Sequence, residues 1–331
     1  MMGRSLPKSG IDHRGRFRKL VLRQEFTLLV VAVAIAVTAT LRNSSFLDTA
    51  NLLEILKASV MYFVMACGAA MLMIGGGLDF SVGSVFTFGS LMCASALVAG
   101  APVAVGVLAG IAAGAAMGLM NHLIISVLHA PPIIGTLGTF FVLGGVNTQI
   151  TGGKDVLPLP DSFKILGSGR IFGFPVVVIY GIVVGIVFWV LLERTRFGLN
   201  VRALGGNRNA AIGAGLRITR LDLALYVIGG ATAGLAGVIY TARVGAGQVM
   251  AGGAPVTLSV VTAVLIGGVS LLGGLGTITG VALGALLLSL IDNALILARI
   301  SPQYNQIVLG LILISAVAID YVRRQELYKK R

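Results

Sequence analysis

The residues able to do chemistry are few. Asp79 stands in the string GGGLDFSVGS (75–84) with Gly76, Ser81, Gly83 and Ser84, in a break between two long apolar runs. A carboxylate at such a place either caps the following helix, accepting N–H bonds at its positive end, or serves an ion or solute crossing an apolar layer. Asp292 and Asn293 lie together late in another apolar run. Arg299, seven residues after Asp292, would share its helix face, along a polar path or at an interface. Neutral groups suit a sugar hydroxyl: Asn121, Asn147, Gln149 and Gln248, with Phe140 or Phe141 to stack on a ring. Each of these polar side chains equally suits helix packing inside a membrane.

Catalytic sets do not emerge from the same search. His13, His122 and His129 are scattered, Cys67 and Cys93 lie within apolar runs, and none has metal-ligand spacing. Gly153–Lys154 is followed by Asp155 and has Thr148 where a phosphate-binding loop needs glycine. No enzyme activity, cofactor or metal is therefore expected. Any ATP consumed must be handled by another chain.

The elements that position these residues follow from hydropathy. The chain is 56% hydrophobic and 11% charged, with a mean hydropathy of +0.97, far above what a soluble core needs. Apolar runs recur near 26–41, 53–74, 82–100, 102–128, 132–151, 171–192, 222–243, 257–273, 277–298 and 303–322. They lack the alternation of a membrane β-barrel, so the expected class is all-α: a polytopic transmembrane bundle of about ten spans. Forty-six glycines fit close helix approach.

The net charge of +13 gives orientation and does not call for nucleic acid. Lys and Arg gather before residue 24, between Arg194 and Arg220, and after Tyr321. All three clusters are expected on the cytoplasmic side, with loops 42–52 and 152–170 outside. Anionic lipid attraction is a by-product. The layout is a basic N-terminal tail (1–24), one membrane domain (25–322) and a basic C-terminal tail (323–331). The apolar run after the basic lead reads as an uncleaved span rather than a signal peptide.

Two further patterns stand out. MIGGGLDFSVGSV (73–85) and LIGGVSLLGGLGTI (265–278) echo each other between spans ending on the same side, which fits an internal repeat of two halves. The segment 193–221 is strongly polar. Within it Asn207 suits an N-cap, Ala210, Ala211 and Ile212 give a small apolar face, and Gly213 and Gly215 end a helix of roughly two turns ringed by Arg202, Arg208, Arg217 and Arg220. Either this is a solvated loop, or the helix docks on a partner, since it is too short to be stable alone.

Arg194, Thr195, Gly198, Arg202, Ala203, Gly205, Asn207, Ala210, Ala211 and Gly215 resemble the coupling loop of the ribose-type sugar permeases of ATP-binding-cassette importers. GGGLDFSVGS (75–84), PPIIGTLGT (131–139) and IGGVSLLGGLGT (266–277) resemble three further motifs of that family, in order, so the likeness runs from about Asn51 to Asp320. It implies a bacterial inner-membrane subunit that carries a monosaccharide. The implied partners are an external binding protein, a second permease in a homo- or heterodimer, and an ATPase subunit seated on the helix with Asn207, Arg208, Ala210, Ala211, Ile212 and Gly215. Two departures concern cargo: Thr257 stands where the family has Glu, and Asn121–His122 replaces Asn-Gly. The alternatives are the same importer with amino acids or nucleosides as cargo, or an ion-coupled secondary transporter relying on Asp79 and Asp292.

Overall fold

A computed structural model describes residues 24–329; the basic tail up to residue 23 and the last two residues lie outside the described residues. In chain order the elements are α1 (Gln24–Arg42), a 3-10 turn (Ser44–Leu47), α2 (Thr49–Ile74), α3 (Val82–Val98), α4 (Val103–Val127), α5 (Pro132–Thr151) and α6 (Asp161–Ser168). A hairpin of β1 (Arg170–Ile171) and β2 (Phe174–Pro175) leads to α7 (Val176–Glu193), α8 (Arg196–Gly206) and α9 (Arg208–Gly213). The chain continues through α10 (Ile218–Val244), α11 (Ala254–Ile266), α12 (Ile278–Leu297) and α13 (Pro302–Lys329).

Among the described residues six helices, α2, α4, α5, α7, α10 and α12, are long and apolar enough to cross a membrane. The remaining apolar runs are helical but short: α3, α11 and the apolar parts of α1 and α13 cover 10–17 residues. The run 257–273 ends early for a backbone reason. Gly267, Gly268 and Val269 donate to the carbonyls of Ala263, Leu265 and Val264 at 2.9, 2.9 and 3.2 Å, and Gly268 sits at φ +86°. This Schellman closure stops α11 after 13 residues, about 20 Å, against about 30 Å of hydrocarbon. The same closure stops α2, where Gly76 and Gly77 donate to Met73 and Leu72, both at 2.9 Å. The first residues of the run 171–192 form the hairpin instead, with Phe172 and Gly173 both at positive φ in its turn.

Helices α2 and α10 are central, 72% and 61% buried over their apolar windows, whereas α4 and α7 are 22% buried and present Ile182, Val183, Ile186 and Val187 outward from α7. Glycine lets α3, α4 and α10 meet backbone to backbone. A Cβ on Gly114 would stand 2.2 Å from the Gly230 carbonyl oxygen, and one on Gly89 would stand 2.6 Å from the Gly234 Cα. Cys67 and Cys93 are buried in this packing.

The bundle has two distinct ends. One gathers 75–81, α8, α9 and 267–277: the Gly274 N–H donates to the Ile74 carbonyl at 2.8 Å, and a Cβ on Gly205 would lie 1.9 Å from that same oxygen. At the other end Asn43 donates to the Leu297 carbonyl at 3.4 Å, and Val156 bridges Gly247.

Candidate functional site

Thr195 caps α8, its hydroxyl accepting the Gly198 N–H at 3.3 Å. Phe197, Val201 and Leu204 recur at helical spacing, with Val201 and Leu204 buried. That spacing is the signal for α8, which the flanking arginines obscure. Asn207 caps α9, its Oδ1 accepting the Ala210 N–H at 3.0 Å. The helix covers Arg208–Gly213, and Gly215 at φ +81° turns the chain out. Ala210 and Ile212 face solvent, but Ala211 turns inward and is 4% exposed. The three residues therefore do not share one outward face.

Charged side chains tie the segment down. Arg202 pairs with Glu193 at the end of α7, and Arg208 with Asp222 on α10 at 2.6 Å. The tightest joint involves no side chain. Gly205 of α8 lies against Ile74 at the end of α2 and against Gly273 and Gly274. A Cβ on Gly76, which sits at φ +86°, would lie 3.7 Å from the Gly205 Cα.

The loop that follows Gly76 enters a buried polar cluster. Asp79 Oδ1 accepts the Ser81 N–H at 2.7 Å and the Ser81 hydroxyl at 2.6 Å. Asn121, on α4, donates to Asp79 Oδ2 at 3.3 Å and to Ser81 Oγ at 2.8 Å. Asp79 does not cap α3, since a first-turn donor there, the Gly83 N–H, goes to Thr257 Oγ1 on α11 at 3.0 Å. Ser84 donates to the Phe140 carbonyl at 2.9 Å, and Asn147 donates to the Ser84 carbonyl at 3.2 Å. Of the two departures from the family pattern, Thr257 sits at this cluster and holds Gly83, whereas His122, in the place of a glycine, is buried beside Tyr226 with ring centroids 6.3 Å apart; Asn121, which the family shares, holds Asp79.

Other groups named from sequence lie elsewhere. Gln149 is exposed near the end of α5, and Phe141 is 72% exposed with Phe140 edge-on at 5.2 Å. Asp292, Asn293 and Gln248 belong to the opposite end. Tyr62 donates to Asp292 at 3.5 Å, Asn293 and Asn51 exchange two bonds at 2.8 and 2.9 Å, and the Tyr240 hydroxyl bonds Gln248. The expected face shared by Asp292 and Arg299 does not form, because α12 ends at Leu297 and Arg299 follows at φ +56°. Arg243 of α10, which no sequence motif marks, meets Glu54 of α2 at 2.9 Å, and Lys57 meets the same carboxylate at 2.6 Å. Their signal was isolation, for Lys57 and Arg243 lie apart from the three basic clusters.

The described residues therefore hold a surface helix locked to the spans, a sealed polar cluster and a looser charged one. Among them no group of three or more metal-ligating acids, His or Cys comes together. Comparison with known proteins places this arrangement. The chain is 32% identical to the D-allose transport system permease protein of Escherichia coli K12 over 295 residues, 89% of this chain and 90% of that protein. It is 33% identical to the ribose import permease protein of Bacillus subtilis 168, covering 88% and 89% of the two chains. It is 31% identical to the autoinducer 2 import system permease protein of Salmonella choleraesuis, covering 90% and 85%. No solved structure matches the chain. Residues 51–317 match the model of the branched-chain amino acid transport system permease component, and the chain belongs to that family of membrane transport subunits.

Proposed function

We propose that the chain is the membrane-spanning subunit of an ATP-binding-cassette importer for a small sugar, with ATP hydrolysed by a separate subunit. The observation that carries this reading is the joint at Gly205. An outward helix, α9, is attached through α8 to the backbone of α2 and of the loop before α12, so a push on α9 reaches two helices without passing through flexible side chains. The sugar is carried over from the allose and ribose permeases.

On this reading the α9 end faces the cytoplasm of a bacterial inner membrane, as do both termini. The chain crosses about ten times, with α3 and α11 as short spans whose connecting loops are covered by protein rather than lipid. The matching closures after α2 and α11 support two repeated halves. An external binding protein delivers the solute to the Glu54–Arg243–Asp292 end, and a second permease subunit, identical or homologous, completes the pathway. Affinity resides in the binding protein, and the wall of the pathway needs few polar groups.

Reconstitution with the ATPase and binding protein tests this. ATP sealed inside proteoliposomes should drive uptake of labelled allose or ribose that survives a protonophore, and the permease alone should hydrolyse no ATP. Uptake that collapses with the ion gradient at constant ATP would replace the importer with an ion-coupled transporter.

A further inference from the structure

A groove of about 380 Å³ runs between α2, α7 and α12. It follows α7 from Val178 to Trp189, with Phe63 of α2 and Ala282 of α12 on its other walls. Gly181 and Gly185 give it depth: a Cβ on Gly181 would come within 2.8 Å of Val60, and one on Gly185 within 3.1 Å of Phe63. The lining is almost wholly apolar, and α7 is the helix whose outward face carries Ile182 and Ile186. Val178 to Trp189 is twelve of the 18 residues of α7, about 18 Å of helix, so the slot runs from the Trp189 side past the middle of the span, a length that an extended acyl chain can fill.

Charge marks one end of the groove. Trp189 closes it, and the Arg194 guanidinium stacks on the indole, 5.1 Å from the ring centroid. Arg194 is exposed and, among the described residues, is in none of the ion pairs; the adjacent Glu193 is taken by Arg202. A long apolar slot with an uncompensated guanidinium at its interfacial mouth matches a molecule with a long hydrocarbon tail and an anionic head.

We propose that this groove binds one acyl chain of an anionic phospholipid from the leaflet on the α9 side, with its phosphate at Arg194. Bound there, the lipid spans α2, α7 and α12 next to the start of α8, so it would set how firmly the arginine-rich segment sits on the bundle.

Trp189 is the single tryptophan of the chain, which makes its fluorescence a direct reporter. The protein in nanodiscs is titrated with phosphatidylglycerol or phosphatidylcholine brominated on the acyl chains. About fivefold less phosphatidylglycerol should give half-maximal quenching, the worth of one arginine near the membrane surface. Arg194→Gln should bring the two lipids level, and Ala282→Phe, which fills the slot, should weaken quenching by both. Equal quenching of the wild type by the two lipids overturns the proposal. So does a phosphatidylglycerol preference that survives Ala282→Phe. Loss of a cross-linked dimer in Ala282→Phe with quenching unchanged would assign the groove to a second copy of the chain. Should Ala282→Phe not fold, Arg194→Gln decides alone, because Arg194 is exposed and lies beyond the end of α7.

Discussion

The two ends of the bundle are built from different contacts. At the α9 end the closest joints are backbone, Ile74 with Gly274 and Gly205 with both, beside a buried side-chain cluster in which Ser81 and Asn121 hold Asp79 and two ion pairs of Arg202 and Arg208 at the surface. At the other end long side chains bridge partly exposed gaps: Glu54 to Lys57 and Arg243, Tyr62 to Asp292, Tyr240 to Gln248. Backbone contacts at van der Waals distance have no rotamers to change, so they transmit displacement. Side-chain bridges at half-wet positions exchange partners cheaply. The first construction suits an end that receives force, the second an end that meets a polar solute.

The contrast breaks first at Gly205. Its Cβ position is 1.9 Å from a main-chain oxygen, so Gly205→Val forces either α8 off the bundle or Ile74 out of its closure. Overpacking of this kind costs about 1–3 kcal/mol, and more where the obstacle is backbone. The variant should lose transport and unfold at clearly lower temperature in detergent. A wild-type melting curve would mean that the joint is loose.

Asp79 comes next. Asp79→Ala removes the acceptor of two Ser81 donors and one Asn121 donor in a buried site, each such loss being worth about 1–3 kcal/mol before relaxation. Asp79→Asn keeps an oxygen facing Ser81 and should lose markedly less. Thermal unfolding of the pair separates an architectural carboxylate from a transported-ion site, since the latter predicts that both variants stay stable and both stop transport.

How far these sites were readable from sequence depends on which force places them. Hydropathy located every long helix, because burial in lipid is a property of the run itself. It misplaced the end of α11, since 257–273 stays apolar through Gly267 and Gly268 and the closure there is a backbone event. It concealed α8, whose Phe197–Val201–Leu204 stripe is diluted by arginine. The cap of α9 was legible in Asn207 because a cap is local. Asn121 as the partner of Asp79 was not, being 42 residues away and set by glycine-permitted helix approach. The split of Ala210 from Ala211 was equally hidden, as a six-residue helix has too little period to show which side docks.

Asp292 sharpens the contrast at the other end. Asp292→Asn keeps the shape and the hydrogen bond to Tyr62 but removes a charge. Because an amide oxygen can still accept from both Tyr62, at 3.5 Å, and Asn305, stability should shift by no more than about 0.5 kcal/mol while ATP-driven uptake falls. Equal losses of stability and uptake would make this end as architectural as the first.

The smallest effect on folding is expected at α9, where the functional effect is large. Ala210 and Ile212 face solvent, so Ala210→Glu with Ile212→Glu should leave insertion and melting within about 0.5 kcal/mol of wild type. Ala211 must stay out of the experiment: at 4% exposure, a glutamate there would be driven into the bundle at a cost unrelated to any partner. On the docked reading two carboxylates on the outer face meet the groove of the ATPase with added volume and charges that cannot be solvated there. Membranes carrying the variant should therefore release the ATPase on washing, and uptake should stop although the permease remains in place. Retention of the ATPase with normal uptake would return 193–221 to a solvated loop and leave the Gly205 joint without a force to transmit.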